Sequence, residues 1–479
     1  MRILFASKLI EDRNLQPLGI YPISATLKKD GHKTHLVDAV SEQAVEEAID
    51  SFRPHVLAIS TPTARYRFFQ KMCEGIKKRH PELLTVFGGI HVTMLPESIY
   101  DQGIDAVCRG EGDHAFPAFI NRLESGGDTS TIQGIWTKDH GEVTENGSAP
   151  LVRDLDALPF PDRSITDHYS YCRRMPVGIF VTSRGCPYRC TFCSNSHLQE
   201  ILKDGSGTFF RTMSPQRAID EVRDAVDRYR FRRLVFLNEV FSTQKNWLRE
   251  FVELYLEGPN LPFWSMFYPS QIDEERAALL AKAGCTIVEL GVETGNEEFR
   301  RNELKRPLSN DTIVRSIELL HAHGIKVQTS NILALPGGTL EHDIETLDIN
   351  IRAKVDFPDV CIFQPLPKVP LEKKAIEVGY YDGNFDSLPK TINPAVVQTV
   401  PAAHPKREQV ERLAYLFPLA VKSRLIRRML PRLLEWPLRP VYLLVYKTTI
   451  AWYKLRYVYG LKKAFNLELF KIIWAYIKY

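Results

Sequence analysis

The chain has 479 residues, of which 44% are hydrophobic and 25% charged, so it can form two or three domains with full cores and has the composition of a soluble protein. It contains no uncharged apolar run of about 18 residues and no export signal after Met1, so the sequence predicts neither a transmembrane helix nor secretion. Eight scattered cysteines in such a chain are typical of the reducing cytoplasm, where thiolates bind metals rather than form disulfides.

Residues 1–125 alternate short apolar runs with helical patterns, which predicts a mostly parallel, doubly wound sheet. The predicted strands are 2–6, 35–38, 55–60, 84–88 and 105–109. The predicted helices between them are 21–29, 41–52, 66–80 and 95–102. A sheet of this kind binds ligands beyond the carboxyl ends of its strands, so the loops at those ends are candidate ligand contacts.

Three of these loops combine glycine with polar residues, and glycine lets the backbone approach a ligand closely. They contain Ser60, Thr61 and Thr63, then Gly88, Gly89 and His91, and finally Gly110, Glu111 and Gly112. On the residues alone, the loops predict a site of nucleotide size, with the alternative that the glycines only make turns. A lone histidine such as His91 is more often a hydrogen-bonding loop residue than a metal ligand.

Residues 126–175 are predicted to be a connector with a hairpin around 139–141, followed by a stiff, proline-rich stretch at 155–163. From 176 to 370 the alternation of strand and helix resumes, which predicts a second domain. Its predicted strands are 176–182, 234–237, 263–267, 286–290, 326–329 and 359–363.

Cys186, Cys190 and Cys193 follow the first of these strands at the spacing C-x3-C-x2-C. Three thiolates can hold three corners of a four-iron, four-sulfur cluster and leave the fourth iron open, as a catalytic metal site requires. The alternatives are three loop cysteines without a shared task, or a structural zinc site completed by His197.

Polar residues also stand at the ends of later strands, where such folds place ligand contacts. Asn238 and Glu239 follow one strand, and Gly291 and Glu293 follow another. The carboxylates could make charge-assisted hydrogen bonds to a ligand, with the alternative that they are solvated or form salt bridges.

The cysteine spacing, with Phe192 before the third cysteine, resembles the radical S-adenosylmethionine (SAM) superfamily. The N-terminal loops, including the run Gly110 to Asp113, resemble the cobalamin-binding domain that precedes many of its members. The resemblance implies a Rossmann-like cobalamin-binding domain at 1–125, a linker at 126–175 and a partial (β/α)6 barrel at 176–370. It also implies three cofactors, namely the cluster, SAM and cobalamin.

Within this family, the residue at the position of Phe192 packs near the adenine of SAM, and acidic residues contact its methionine or ribose part. Glu239 and Glu293 match these positions, whereas Asn238 departs from the acidic residue that is usual there. The chain lacks the Asp-x-His-x-x-Gly motif that supplies a cobalt ligand in other cobalamin proteins. We assign no catalytic residue, because the cofactors carry the difficult chemistry.

The resemblance implies a methyltransferase that acts on an unactivated carbon or phosphorus of a small-molecule or lipid-type substrate through a 5′-deoxyadenosyl radical. An external donor of the flavodoxin or ferredoxin type would supply the electron. One alternative keeps both cofactors but cyclises, rearranges or oxidises its substrate without methyl transfer. A second alternative is a non-catalytic cobalamin or redox sensor.

The C-terminal region, 371–479, ends in a basic tail. Residues 405–479 carry 16 Lys and Arg against four Glu, a net charge of +12 in a chain whose total is only +4. Predicted helices at 409–429 and 441–479 mix these charges with Trp and Tyr, which is typical of a peripheral contact with the cytoplasmic face of a membrane. The alternatives are a helical cap on the barrel and, less favoured, a nucleic-acid contact.

Overall fold

The computed structural model describes residues 1–9, 16–202, 208–388, 400–401 and 403–453. The strands are β1 Arg2–Ser7, β2 Lys33–Asp38, β3 Val56–Ser60, β4 Leu84–Gly88, β5 Ala106–Cys108, β6 Ile135–Asp139, β7 Glu142–Thr144, β8 Val177–Phe180, β9 Ser183–Arg184, β10 Arg211–Thr212, β11 Arg233–Phe236, β12 Phe263–Phe267, β13 Cys285–Glu293, β14 Lys326–Leu333 and β15 Phe357–Ile362.

Helices fill most of the intervals between strands. They are α1 Ile20–Lys29, α2 Glu42–Phe52, α3 Thr63–Arg79, α4 Ile90–Met94, α5 Gly112–Glu124, α6 Ser170–Arg173, α7 Ser194–Ile201, α8 Pro215–Tyr229, α9 Lys245–Glu257, α10 Glu274–Lys282, α11 Glu297–Asn302, α12 Asn310–Ala322, α13 Leu340–Arg352, α14 Pro370–Glu377, α15 Arg407–Lys422, α16 Arg424–Leu433 and α17 Arg439–Tyr453. In the described ranges, no helix is both long enough and apolar enough to cross a membrane.

The chain divides into two compact units. One contains Met1–Phe263 with Leu366–Val369 and the described part of Phe385–Ile392. The other contains Trp264–Pro365 and Pro370–Asn384 with the described residues from 400 onward. The predicted domain boundaries at 125, 175 and 370 stay predictions.

The first unit begins with a seven-stranded sheet in the order β2-β1-β3-β4-β5-β6-β7. Strands β1 to β5 are parallel. Alternate residues of β1 point into different cores, because successive side chains of a strand face opposite sides of a sheet. Ile3 and Phe5 pack with residues of α1 and α5, whereas Leu4 and Ala6 pack with residues of α2 and α3. Both faces are therefore covered, and the predicted doubly wound sheet is confirmed.

The predicted hairpin forms, but it is not a separate connector. Strand β6 pairs antiparallel with β5, and β7 pairs antiparallel with β6, so the hairpin extends the first sheet at its edge. The sequence also predicted a helix at 95–102, where the structure has a short 3-10 helix over Pro96–Tyr100. Pro96 at the start removes a backbone donor, which is consistent with a short, tight turn of helix.

After the hairpin, parallel pairing resumes among the longer strands, whereas the two-residue strands β9 and β10 pair antiparallel. Within the first unit, β8 pairs with β11. Within the second unit, β13 pairs with β14, and β14 pairs with β15. Helices α8 to α13 separate these strands along the chain, which is the βα alternation predicted for 176–370.

The described part of the tail packs against the second unit. The inward side of α15 is buried and contains Leu413, Leu416 and Phe417. Lys422 donates a hydrogen bond from Nζ to the Val355 carbonyl. Ser423 caps α16 through Ile426, so the helix predicted at 409–429 is two helices instead of one. Most of the helix predicted at 441–479 lies outside the described residues.

Candidate functional site

The candidate site is a cavity of about 500 Å³ in the first unit, at the carboxyl ends of the parallel strands. This volume is within the range of about 300–1,000 Å³ that is usual for ligand pockets. Its wall is formed by the ends of β3, β4 and β5 and by residues around the cysteines, including Gly185, Asn195 and Leu198. Doubly wound sheets bind ligands at this edge.

Six of the nine residues predicted to contact cobalamin line this cavity. They are Ser60, Gly88, Gly89, Gly110, Glu111 and Gly112. At Gly88, which lines the cavity, an added Cβ atom would meet Cys108 and the Ile59 carbonyl at 3.9 Å, which is ordinary van der Waals contact without crowding. The backbone of β4 and its loop thus forms a cradle that a broad, flat ligand can approach, and the residues fit cobalamin in this respect.

Thr61, Thr63 and His91 are not among the cavity-lining residues. His91 is buried and stacks on the ring of Tyr66 with 3.9 Å between ring centroids. Its Nδ1 lies 3.2 Å from the Thr63 hydroxyl. Burial lowers the pKa of His91 to about 4, so the imidazole is neutral at physiological pH. The structure therefore gives His91 a packing role within its loop.

Glu111 and Asp113 make ion pairs with residues of the cysteine region. Asp113 accepts two hydrogen bonds from Arg184, at 2.7 and 2.9 Å. Glu111 accepts two from Arg211, at 2.7 and 2.9 Å, and one from the backbone N–H of Val152 at 2.6 Å. The predicted cobalamin contact Glu111 thus already has protein partners for both carboxylate oxygens.

The loop with the three cysteines lies between β9 and α7. Cys190 is buried, Cys186 and Cys193 are half-buried, and none of the three forms a disulfide. Gln199 fixes the loop by donating from Nε2 to the carbonyls of Cys186 and Tyr188, each at 2.8 Å. Burial raises the pKa of Cys186 to about 12. The nearby Glu239 carboxylate and the thiols of Cys193 and Cys190 add to this rise.

These features fit a four-iron cluster. In the described part of the chain, no group of three or more His, Cys, Asp or Glu side chains could surround a single metal ion. A cubane cluster has a different requirement, since each thiolate binds a different iron and the sulfur atoms stand further apart. A buried thiol must lose its proton to become a ligand, so iron binding would release protons here.

The predicted SAM contacts in the first unit have unequal surroundings. Glu239 lines the cavity, and burial raises the pKa of its carboxyl group. The Asn238 amide oxygen instead accepts hydrogen bonds from the backbone N–H groups of Thr182 and Ser183, at 3.1 and 2.8 Å. Asn238 therefore holds the strand that leads to the cysteines. Phe192 is half-buried on the cysteine loop itself.

Gly291 and Glu293 lie at the end of β13 in the second unit. The register between β13 and β14 shifts between these two residues. Glu293 has a φ of +64°, which is a strained conformation for a residue with a side chain. Arg306 stands 3.9 Å from the Glu293 carboxylate and donates to the Gly291 carbonyl at 2.7 Å. Glu293 therefore forms a salt bridge with Arg306, which was the alternative to a ligand contact.

Sequence reasoning missed a group of charged residues that also line the cavity. They are Arg163, Arg184, Arg211, Arg217 and Glu221. All five have little solvent exposure, and burial raises the pKa of Glu221 although the Arg163 guanidinium opposes the rise. Arg184 stands two positions before Cys186. A charged residue between a buried strand and a cysteine loop is the one feature of the sequence that could have marked Arg184 as a residue of the site.

Two family models match the chain. The model of the B12 binding domain matches residues 13–120, and the model of the radical SAM superfamily matches residues 180–349. An uncharacterized methyltransferase of Pyrococcus horikoshii is 25% identical over 368 residues, which cover 75% of this chain and 78% of that protein. An anaerobic magnesium-protoporphyrin IX monomethyl ester cyclase of Rubrivivax gelatinosus is 24% identical over 392 residues, covering 77% of this chain and 68% of the relative.

Solved structures give the same fold. The radical SAM methyltransferase TsrM from Kitasatospora setae, with tryptophan and a SAM analogue bound, has a TM-score of 0.64 at 19% identity. The alignment covers 79% of this chain and 76% of TsrM. The cobalamin-dependent radical enzyme OxsB, with aqua-cobalamin and SAM bound, has a TM-score of 0.63 at 16% identity and covers all of this chain and 70% of OxsB.

The fold and the two matched models define a B12 binding domain followed by a radical SAM domain. The chain therefore carries the two domains that characterise cobalamin-dependent radical SAM enzymes, as the resemblance in its cysteine and glycine loops predicted. Its cofactors are a four-iron, four-sulfur cluster, SAM and cobalamin.

Proposed function

We propose that this enzyme methylates an unactivated carbon or phosphorus of a small-molecule or lipid-type substrate. The observation that carries the proposal is that one cavity is lined both by the predicted cobalamin loops and by residues that flank the cysteine loop. Relatives named as methyltransferases support it, among them the protein from Pyrococcus horikoshii and the cytidylyl-2-hydroxyethylphosphonate methyltransferase of Streptomyces wedmorensis.

In this proposal the protein binds and orients the cofactors. When bound, the cluster and SAM supply an organic radical and cobalamin supplies the methyl group. Cys186, Cys190 and Cys193 would hold the cluster, and Glu239 would accept hydrogen bonds from SAM. Gly88, Gly89 and Gly110 would form the backbone floor under the corrin. The apolar strand ends on the cavity wall, including Ile59 and Val86, would exclude water.

The test is methyl transfer from SAM that carries a deuterated methyl group. Reconstituted enzyme with a chemical reductant should release 5′-deoxyadenosine when given an extract of a strain that lacks this gene. The deuterated methyl group should appear in one product by untargeted mass spectrometry. Release of 5′-deoxyadenosine with no labelled product would contradict methyl transfer.

That last outcome would favour the second candidate, a ring closure or oxidation without methyl transfer. The specific observation behind it is the similarity to the anaerobic cyclase of Rubrivivax gelatinosus. The product of such a reaction would differ from its substrate by loss of hydrogen or gain of oxygen, and it would carry no deuterium. The same extract experiment therefore separates the two candidates.

We also propose that a flavodoxin or ferredoxin reduces the cluster. Pro187 and Arg189 of the cysteine loop are exposed, so a partner can approach the loop from that side. A basic residue there complements the acidic surface expected of such donors. Reduced flavodoxin should support 5′-deoxyadenosine release. Arg189→Glu also removes the hydrogen bond from Arg189 Nε to Gln199 Oε1, so it should lower the rate with flavodoxin by more than the rate with dithionite. If the wild type and Arg189→Glu released 5′-deoxyadenosine at the same rate with flavodoxin, this docking site would be contradicted.

Finally, we propose a cytoplasmic enzyme that docks on an anionic membrane through α16 and α17 and takes a lipid-type substrate. The two helices and their connection expose large apolar side chains. These residues are Leu425, Met429, Trp436, Leu438, Val441, Leu444 and Trp452.

Basic side chains lie beside the apolar ones. On α16, Leu425 and Met429 are four residues apart, and Arg424, Arg428 and Arg432 follow the same spacing next to them. Basic and apolar stripes side by side match the chemistry of an anionic lipid surface, where each basic residue contributes about 1 kcal/mol.

Liposome sedimentation with point variants tests the docking. Truncation after Pro401 would remove α15, whose buried side chains belong to the core, so it cannot separate docking from folding. Changing Arg424, Arg428 and Arg432 to Gln together should reduce pelleting with anionic liposomes. Higher salt should have the same effect, because screening is effective within about 10 Å at 0.1 M ionic strength. Unchanged pelleting at low salt would contradict the docking surface.

A further inference from the structure

Two ion pairs tie the loop after β5 to the segments on either side of the cysteine loop. Asp113 opens α5 and pairs with Arg184, which is followed directly by Gly185 and Cys186. Glu111 pairs with Arg211 of β10, and β10 is the antiparallel partner of β9. Both guanidinium groups thus reach from the cysteine region to one short loop of the cobalamin domain.

The pairs are shielded from water and fully bonded. The side chains of Asp113 and Arg211 are 6% and 7% exposed, and those of Glu111 and Arg184 are 15% and 22% exposed. Arg211 also donates to the Val152 carbonyl at 2.7 Å. Burial would raise the pKa of Asp113, but the Arg184 guanidinium outweighs it and keeps the carboxylate ionised. A shielded pair with its hydrogen bonds satisfied is a specific contact, unlike an exposed surface pair.

The geometry of the contact restricts both distance and angle. Each carboxylate receives two parallel N–H bonds from one planar guanidinium group, and this arrangement fixes the relative orientation of the two groups. All four residues line the cavity. The contacts therefore lie beside the cavity in which the proposed function places the corrin, SAM and the cluster.

We propose that the Asp113–Arg184 and Glu111–Arg211 pairs are positioning contacts that fix the distance between cobalamin and the iron–sulfur cluster. The inference rests on the proposed roles of the two loops in binding these cofactors. In this view, Glu111 and Asp113 do not contact the corrin. They hold the backbone of Gly110 and Gly112 against the cysteine region, so that the reacting groups of the two cofactors face one another.

The test measures the magnetic interaction between cob(II)alamin and the reduced cluster by pulsed electron paramagnetic resonance of the full-length holoenzyme. The variants are Asp113→Asn, which removes one charge, and Arg184→Lys, which keeps the charge but cannot donate the two coplanar hydrogen bonds of a guanidinium group. Both should bind iron and hydroxocobalamin, with a changed or broadened spin interaction. We expect hydroxocobalamin release to be about tenfold faster.

The matched control is Asp105→Asn. Asp105 pairs with Lys77 at 2.9 Å and accepts from the Thr85 N–H in the same sheet, but it does not line the cavity. This variant should lose thermal stability without any change in spin interaction. A merely structural role for Asp113 would make the two variants behave alike, and such a result would overturn the proposal.

An unchanged spin interaction in Arg184→Lys at full iron and cobalamin content would also overturn it. If Asp113→Asn does not fold, Arg184→Lys alone decides, because it preserves the charge balance of the buried pair. Wild-type protein that takes up iron but no hydroxocobalamin would instead refute the assignment of the cobalamin loops, together with the inference that rests on it.

Discussion

Gly89 lies against the backbone of Thr61. A Cβ atom at Gly89 would be 2.8 Å from the Thr61 nitrogen, and Gly89 has a φ of +88°, which favours glycine. Glycine at this position is therefore required by the packing of the loop after β4 against the loop after β3. The neighbouring Gly88 is different, because it lines the cavity and an added Cβ atom there would make only ordinary contacts at 3.9 Å.

Substitutions at the two glycines should have different effects. Gly89→Ala should lower the free energy of unfolding by about 1 kcal/mol or more, since it introduces both strain and a clash. Gly88→Leu should leave the fold stable and reduce hydroxocobalamin binding, because its side chain would occupy the cavity. Thermal unfolding and absorbance titration with hydroxocobalamin measure the two effects. Normal cobalamin affinity in a folded Gly88→Leu protein would contradict the placement of the corrin.

Replacement of Cys186, Cys190 or Cys193 by Ala should abolish the four-iron cluster and SAM cleavage, because each supplies one of only three thiolates. Iron content, the absorbance of the reconstituted protein and 5′-deoxyadenosine release are the measurements. Cys172→Ala is the control, since Cys172 is a buried free thiol that packs in the core of the first sheet. If the Cys190 variant cleaved SAM at the normal rate, the assignment of the cluster ligands would be wrong.

Glu289 makes stability depend on pH. It accepts a hydrogen bond from the Ser330 hydroxyl at 2.5 Å on the neighbouring strand. Burial raises the pKa of Glu289 from 4.5 to about 7, and the nearby carboxylates of Asp359 and Glu293 add to the rise. The folded state therefore binds the Glu289 proton more tightly than the unfolded state. The protonated Glu289 side chain therefore contributes fully to the free energy of unfolding below pH 4.5, and this contribution is lost as the pH rises through about 7.

Glu289→Gln removes this titration. Relative to the wild type, the variant should gain stability as the pH rises from about 5 to about 8, because the wild type must then bury a charge. Urea unfolding across this pH range measures the difference. Glu318→Gln on the exposed side of α12 is the control. If the difference in free energy of unfolding between Glu289→Gln and the wild type stayed constant across this pH range, the raised pKa of Glu289 would be refuted.

Most strands of both units could be predicted, because they are short apolar runs bounded by turn residues. The strands β9 and β10 were missed, because each has only two residues and no apolar run. The cysteine site was equally accessible, since its three residues lie within eight positions of one loop. The pairing of Asp113 with Arg184 was not, because the two residues are 71 positions apart and only the tertiary fold brings them together. The sequence showed the charges but not which charge meets which.

His91 shows the same limit at short range. Its place in a glycine loop at a strand end suggested a ligand contact, and the local pattern could not reveal which way the ring points. Tyr66, on the preceding helix, supplies the aromatic surface on which the imidazole stacks. The direction of a side chain depends on such neighbours, which periodicity does not identify.

Two adjacent aromatic residues at the end of α17 separate the two roles of the tail. Tyr453 is buried, packs edge-on against Phe357 of β15 with 5.5 Å between ring centroids, and donates to the Pro418 carbonyl at 3.1 Å. Trp452 is 44% exposed. Tyr453 therefore attaches α17 to the second unit, whereas Trp452 presents much of its surface to the surroundings.

Tyr453→Ala should lower the free energy of unfolding by about 3–5 kcal/mol, as is usual when a large aromatic side chain is removed from a core. Trp452→Ala should change it by about 0.5 kcal/mol or less, but should reduce binding to anionic liposomes, because an interfacial tryptophan is lost. Urea unfolding and liposome sedimentation on both variants measure the contrast. If Trp452→Ala bound liposomes as the wild type does, while Tyr453→Ala unfolded easily, the described tail would act as a cap on the barrel, and the argument for a lipid-type substrate would lose its main support.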